Sequence, residues 1–166
     1  LPRHQRVGFM GFGTMAEPPA RALNSLGFDV AAWVRKERQD SDIEMFCGTE
    51  ALPVFLGRTD ILVCLLPLTG ETEGILNADT FAALPEGAAV INLGRGAHLV
   101  DEDLIAALDS GHLSAATLDA TKPEPLPGDS PLWLHERVTI MPHTARRVRP
   151  DTVGPQVAEA VRLDRA

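Results

Sequence analysis

Three residues whose types could act together in catalysis follow three apolar segments of the chain. Arg95 comes after "AAVINLG", Glu124 follows "AATLD" across a short loop, and His143 follows "VTIMP". An arginine fork binds a carboxylate bidentately, a histidine donates or accepts a proton near neutral pH, and a nearby carboxylate favours the imidazolium form. Together they suit the reduction of the carbonyl group of a 2-keto acid.

The segments that precede these residues belong to a series of short apolar runs. Most are apolar on both faces, which is typical of parallel strands buried on two sides. Between two of them, "DEDLIAALDSG" has the acidic first turn, the apolar face and the terminal glycine of a helix. The β-α alternation predicts an open, doubly wound parallel α/β sheet, the Rossmann fold. The predicted strands are residues 7–10, 30–34, 61–66, 88–93, 115–119 and 138–141.

The carboxyl ends of the strands indicate which histidines can belong to a site. In open α/β sheets ligands bind outside these ends, so the three residues above are expected at one shared edge. His112 and His135 precede strands and are expected at the opposite edge, as surface histidines. His98 lies near the right edge but has no evident acidic partner, and a lone histidine is more often structural.

The first run ends in a glycine pattern typical of a dinucleotide-binding turn. In "RVGFMGFGTMAEPPAR", Gly11 would allow the tight turn, Gly13 would let backbone approach a pyrophosphate, and Ala16 would replace the third glycine. Its position after a buried strand, at the head of the β-α series, favours a dinucleotide site over a plain glycine turn. Pro18 and Pro19 follow where the helix should rise, and we expect Pro19 in particular to distort or delay that helix.

The second strand ends in "AAWVRKER", which places Arg35 and Lys36 where a dinucleotide fold reads the adenosine ribose. An acidic residue there would bind the 2'-hydroxyl of NAD, whereas an arginine accommodates the 2'-phosphate of NADP. The pattern therefore favours NADP. The alternative is that these are solvated charges in a loop.

Composition limits the other classes of function. The chain has 166 residues, enough for one buried core, and its formal net charge of -8 at pH 7 argues against a nucleic-acid partner. It contains no apolar stretch of the roughly 20 residues that a membrane span needs. Cys47 and Cys64 form no CxxC pair, and Cys64 lies in the run "ILVCLL", where a thiol packs as a small hydrophobe. We therefore expect a single-domain cytoplasmic protein.

Nearly the whole chain resembles one family. The run "INLGRGAHLVDEDLIAALDSGHLSAATLDATKPEPLPGDSPLWLHERVTIMPH" is similar to the cofactor domain of the D-isomer-specific 2-hydroxyacid dehydrogenases. The phrases "LLPLTGETEGILN" and "SPLWLHERV" are most similar to the glyoxylate/hydroxypyruvate reductase A branch, which prefers NADPH. The resemblance implies NADPH-dependent reduction of glyoxylate or hydroxypyruvate by a homodimer, with NADH as a possible second cofactor.

The resemblance also implies a role for each site residue. Arg95 would bind the carboxylate and carbonyl of the substrate, Glu124 would orient the histidine and favour its protonated form, and His143 would be the general acid. Asp119 would hold the nicotinamide carboxamide, and no metal ion is expected. The other cofactor contacts are expected from the phosphate-binding turn, the ribose reader and the adenosine side of the groove: Gly11, Gly13, Thr14, Met15, Arg35, Lys36, Leu66, Pro67 and Thr69.

The family's substrate domain has no counterpart in this chain. We therefore expect a Rossmann domain over residues 1–148, followed by a segment, residues 149–166, that resembles the start of the helix returning to the missing domain. The chain is then either part of a longer enzyme or a non-catalytic module that binds or senses NADP(H). The complete set of arginine, glutamate and histidine favours the enzyme, because a sensor needs no proton donor. A third alternative is a cofactor loop disabled by its prolines.

Overall fold

Strands and helices alternate along residues 5–145, the part of the chain that the computed structural model describes. The strands are β1 (Arg6–Met10), β2 (Asp29–Val34), β3 (Glu44–Cys47), β4 (Ile61–Cys64), β5 (Ala88–Asn92), β6 (Leu113–Leu118) and β7 (Val138–Ile140). The helices are α1 (Glu17–Ser25), α2 (Leu52–Gly57), α3 (Ala78–Ala83) and α4 (Asp101–Asp109).

The strands form one parallel sheet in the order β3-β2-β1-β4-β5-β6-β7. From β1 the chain first builds outward to β2 and β3 and then returns to add β4 on the other side of β1. The order therefore reverses between β1 and β4, which opens a crevice at their carboxyl ends. The predicted doubly wound Rossmann fold is confirmed.

The two faces of the sheet carry separate apolar cores. On one face, Phe9 and Val63 pack with Ala20 of α1. On the other, Phe55 of α2 and Leu104 of α4 pack against the opposite side chains of the same strands. This two-sided burial explains why the central strands are continuous apolar runs and show no polar alternation.

The structure contains one strand that was not predicted from the sequence, and another strand is shorter than predicted. β3 is a four-residue edge strand whose side chains are only partly buried, so it lacks the continuous apolar signal of its neighbours. β4 ends at Cys64, two residues before the predicted end, and Leu65 and Leu66 belong to the crevice wall. The helix predicted from "DEDLIAALDSG" is confirmed as α4, and Gly111 after it has φ +79°.

The other sequence predictions concern the C-terminal segment, membrane-spanning segments and the cysteines. The predicted C-terminal segment, residues 149–166, lies outside the described residues, so the division at residue 148 stays a prediction. Within residues 5–145, no helix has the length and apolar character needed to cross a membrane. Cys64 is buried as predicted, and burial raises the pKa of its thiol to about 11, which keeps it protonated and unreactive.

Candidate active site

The turn after β1 requires a glycine at its first position. Gly11 has φ +92°, a backbone conformation that residues with a side chain rarely adopt. A Cβ atom there would also lie 3.1 Å from the Leu65 carbonyl oxygen, at the end of β4. Gly11 thus lets the turn pass close to the neighbouring strand, and its N–H donates to the Trp33 carbonyl of β2 (2.8 Å).

The second glycine of the turn faces open space and starts the helix. A Cβ atom at Gly13 would meet no atom within 4 Å, while the Gly13 carbonyl accepts the N–H groups of Ala16 and Glu17, both at 3.0 Å. Ala16 is buried against the sheet, so a methyl group fits the third position of the motif.

The start of this helix agrees with the expectation that the prolines delay it. Helix α1 begins at Glu17, so Pro18 and Pro19 both lie in its first turn. The Glu17 N–H already makes an i→i−4 bond to the Gly13 carbonyl, and the two prolines have no N–H with which to continue that series to the Thr14 and Met15 carbonyls. The series resumes at Ala20, whose N–H donates to the Ala16 carbonyl at 3.0 Å.

A cavity of about 630 Å³ opens at the carboxyl ends of the central strands, between this turn and the ends of β4, β5 and β6. Most of the predicted cofactor and catalytic residues line it. Three predicted residues lie next to this wall and not in it: Gly11 at the first position of the turn, Thr69, whose N–H donates to Thr72 Oγ1 (2.8 Å), and Glu124, which is hydrogen-bonded to His143. The predicted residues in the cavity wall are Gly13, Thr14, Met15, Leu66, Pro67, Arg95, Asp119 and His143.

Arg95 projects from a tight turn after β5 that is built around glycine and buried polar side chains. The Arg95 guanidinium donates to the Gly94 carbonyl (3.0 Å), and a short 3-10 turn follows at Gly96–His98. A Cβ atom at Gly96 would collide with the backbone of Thr121 and Lys122. Gly96 therefore allows this turn to pack directly on the loop that carries Glu124.

His143 and Glu124 form a hydrogen-bonded pair. The His143 Nδ1 lies 2.7 Å from the Glu124 Oε1. Because an ionised carboxylate can only accept, Nδ1–H is the donor, and Nε2 remains available for a ligand. The two side chains are 42% and 45% exposed, so a ligand or a further domain can still reach them.

The backbone of His143 is held in an unusual conformation by Asp119. His143 has φ +52°, in the left-handed region that non-glycine residues rarely occupy. The buried Asp119 carboxylate accepts the next two backbone N–H groups, Thr144 at 2.8 Å and Ala145 at 3.0 Å. Sequence reasoning connected Asp119 with the cofactor alone. The structure shows this carboxylate bound to the backbone of the segment that follows His143.

The predicted ribose reader lines a second cavity, of about 490 Å³, beyond the end of β2. Arg35 forms an ion pair with Glu71, and both side chains are largely exposed, so the pair is weak. Arg38 also lines this cavity, and its guanidinium lies 4.8 Å from the centre of the Phe12 ring. Lys36 is exposed and lies in the wall of neither cavity.

The other histidines of the described residues lie at the edges of the sheet where the sequence places them. His112 contacts the Phe81 carbonyl through Nε2 (2.8 Å) and His135 contacts Asp109 (3.3 Å), both at the opposite edge of the sheet. His98 is fully buried directly behind Arg95. Sequence reasoning set it aside for lack of an acidic partner, but its partner is a backbone N–H, which no sequence pattern reveals.

Comparison with known proteins matches this geometry to one family. The family model described as D-isomer specific 2-hydroxyacid dehydrogenase, NAD binding domain, matches residues 2–145. The chain belongs to this family. Glyoxylate/hydroxypyruvate reductase A of Serratia proteamaculans is 45% identical over 152 residues, which are 92% of this chain and 49% of the relative. The chain thus spans about half the length of the curated dehydrogenase relatives it matches.

Solved structures of the 2-hydroxyacid dehydrogenase family have the same fold. An enzyme of this family from Xanthobacter autotrophicus Py2, in complex with NADPH and MES, superposes with a TM-score of 0.92 at 44% identity, covering 97% of this chain and 66% of that one. The NADPH-dependent glyoxylate/hydroxypyruvate reductase of Sinorhizobium meliloti, in complex with NADP and sulfate, has a TM-score of 0.83 at 40% identity, with 88% and 48% covered. The resemblance inferred from the sequence is confirmed.

Proposed function

We propose that the full-length protein reduces a small 2-keto acid, glyoxylate or hydroxypyruvate, to the 2-hydroxy acid with NADPH. The observation that carries this proposal is the shared cavity. It runs from the glycine turn after β1 to Arg95 and to His143, which is hydrogen-bonded to Glu124. A dinucleotide site and a proton donor therefore open into the same space. The relatives named glyoxylate/hydroxypyruvate reductase A support the choice of substrate class.

The residues of the turn fit a dinucleotide. Gly13 leaves room for a pyrophosphate, and the backbone N–H groups of Thr14 and Met15, just before α1, have no acceptor among residues 5–145, so they can donate to phosphate oxygens. Thr14 and Met15 complete that end of the cavity, with Leu66 and Pro67 as the facing wall. A reduced nicotinamide bound at the far end would supply a hydride to the carbonyl carbon.

Three polar side chains would bind the substrate, donate the proton and orient the proton donor. Arg95 binds the substrate carboxylate through its guanidinium fork, which fixes the carbonyl next to His143. The His143 Nε2 gives a proton to the carbonyl oxygen as charge develops there. Glu124, bound to Nδ1, keeps the ring oriented so that Nε2 is free to give this proton.

We propose a preference for NADPH over NADH on the basis of Arg35. It stands at the end of β2 in the wall of the second cavity, and no acidic residue occupies its place. The 2'-phosphate would replace the exposed Glu71 carboxylate as its partner. Relatives solved with NADPH or NADP bound support the same choice. The homodimer and the cytoplasmic location stay predictions.

The proposal is tested by NADPH oxidation in the full-length protein with glyoxylate and with hydroxypyruvate. His143→Ala should lower turnover by about 10²- to 10⁴-fold, the range typical of a general acid, with little change in NADPH affinity. His135→Ala, at the opposite edge of the sheet, is the matched control and should keep full activity. An unchanged rate in His143→Ala would remove that residue from its role. NADPH binding without turnover in the wild type would favour the non-catalytic module.

A further inference from the structure

A second histidine of the site contacts Arg95 and has no place in the proposed chemistry. His98 has no exposed surface, and its Nδ1 accepts the Arg95 backbone N–H at 2.9 Å. A nitrogen that accepts carries no proton, so the ring is the neutral tautomer with its hydrogen on Nε2. In return, the His98 backbone N–H donates to the Arg95 carbonyl at 3.0 Å.

The second buried support of the turn is Asn92, the last residue of β5. Its side-chain amide donates to the Arg95 carbonyl (3.0 Å), and its side-chain oxygen accepts the Gly94 N–H (3.1 Å). The Arg95 backbone N–H thus has the His98 side chain as its acceptor, whereas the Arg95 carbonyl accepts from both the Asn92 side chain and the His98 backbone N–H. Removing the imidazole would leave the Arg95 N–H with no partner in the described part of the chain.

Space filling alone does not explain an imidazole at this position. Its Nε2 is buried without an aligned hydrogen-bond partner among residues 5–145, a loss that a leucine of similar size would avoid. Burial lowers the pKa of His98, and the nearby Pro67 carbonyl offsets this only in part. The ring is therefore held in its neutral form, the form that its bond to Arg95 requires.

We propose that His98 is a positioning residue for Arg95, whose imidazole fixes the backbone of that turn so that the guanidinium stays at the substrate end of the cavity. The proposal rests on the proposed function, since it gives Arg95 the task of binding the substrate carboxylate. It adds a polar residue that supports the reaction without touching the substrate.

Two substitutions in the full-length protein separate positioning from space filling. His98→Leu keeps the volume and removes the acceptor, whereas His98→Asn places an amide oxygen where Nδ1 stood. We expect His98→Leu to raise the KM for glyoxylate and lower kcat/KM by about 10- to 100-fold, because small misplacements of a binding group are costly. The Kd for NADPH should stay within about 3-fold, since the phosphate-binding turn is a separate element. His98→Asn should restore most of the loss.

A structural measurement tests the same bond without depending on activity. In the 15N-labelled protein, the imidazole spectrum should show Nδ1 of His98 unprotonated at neutral pH, and the Arg95 amide should exchange slowly with solvent. A protonated Nδ1, or fast exchange of that amide, would overturn the proposal. An equal loss of NADPH affinity and activity in His98→Leu, or failure of His98→Asn to restore activity, would also overturn it. If the spectrum is as expected but the wild type reduces neither acid, the proposed function is refuted, whereas the hydrogen bond between the Arg95 N–H and His98 Nδ1 is supported.

Discussion

Replacing Gly96 with alanine should separate the two loops that carry Arg95 and Glu124, two of the proposed catalytic residues. A Cβ atom at residue 96 would lie 2.5 Å from the Lys122 backbone nitrogen and closer still to the Thr121 carbonyl group. Non-bonded heavy atoms settle at about 3.5 Å or more, so the loops must move apart by at least about 1 Å. Because the obstacle is backbone, no change of rotamer can relieve it.

The size of the effect follows from this displacement. A shift of about 1 Å between groups that must meet a substrate lowers the rate by about 10²-fold. Forced overpacking of this kind lowers the free energy of unfolding by about 1–3 kcal/mol. We therefore expect Gly96→Ala to reduce kcat/KM far more than its loss of stability would explain, since the protein should remain folded.

The assay compares kcat/KM for glyoxylate and the urea midpoint of Gly96→Ala with those of Gly128→Ala. Gly128 lies in the same proline-rich loop as Glu124, and a Cβ atom there would meet no atom within 4 Å. The control should match the wild type in both measurements. If Gly96→Ala kept kcat/KM within about 3-fold of the control, the contact between the two loops would not position the site, and the reasoning from geometry would be refuted.

Three further substitutions test other contacts. Arg35→Asp should weaken NADPH binding by about 10- to 100-fold, the value of a charge-assisted phosphate contact, and leave NADH binding nearly unchanged in calorimetry; equal NADPH affinity would contradict the assignment. Asp119→Asn should lower the free energy of urea unfolding by about 1–3 kcal/mol, because one of the two N–H groups after His143 loses its acceptor; unchanged stability would exclude the anchoring role. Asp60→Asn should lower the free energy of unfolding by about 1–2 kcal/mol at pH 7. Hydrogen bonds from Arg6 hold the pKa of Asp60 below its usual value, so this contribution is present above the unfolded pKa of about 3.9 and is lost as the pH falls through the folded pKa. A difference between Asp60→Asn and the wild type that stays constant from pH 7 to about pH 3 would contradict this linkage.

The parts of the fold that the sequence predicts are those buried on both faces. The central strands are continuous apolar runs because helices cover both sides of the sheet, and that signal is local. β3 was missed because an edge strand with partly buried side chains lacks it. The effect of the prolines of α1 was predictable as a delay of the helix, but the bonds of the Ala16 and Glu17 N–H groups to the Gly13 carbonyl are seen only in the folded turn.

The site was predictable only where residue type alone implies chemistry. Arg95 and His143 stand out because an arginine can bind a carboxylate, a histidine can donate a proton, and both residues follow strands. The supporting contacts depend on tertiary structure, in which side chains meet backbone groups across loops. The His98 bond to the Arg95 N–H and the Asp119 bond to the Thr144 N–H are of this kind, and no spacing rule predicts them.

The most direct test of the central claim is a calorimetric titration of the protein with NADPH and, separately, with NADH. Because Pro18 and Pro19 follow the turn, and the Thr14 and Met15 N–H groups within it have no acceptor among residues 5–145, the phosphate-binding turn should be functional. We predict that NADPH binds, and that it binds more tightly than NADH because Arg35 meets the 2'-phosphate. Absence of binding for both, or tighter binding of NADH, would contradict the account.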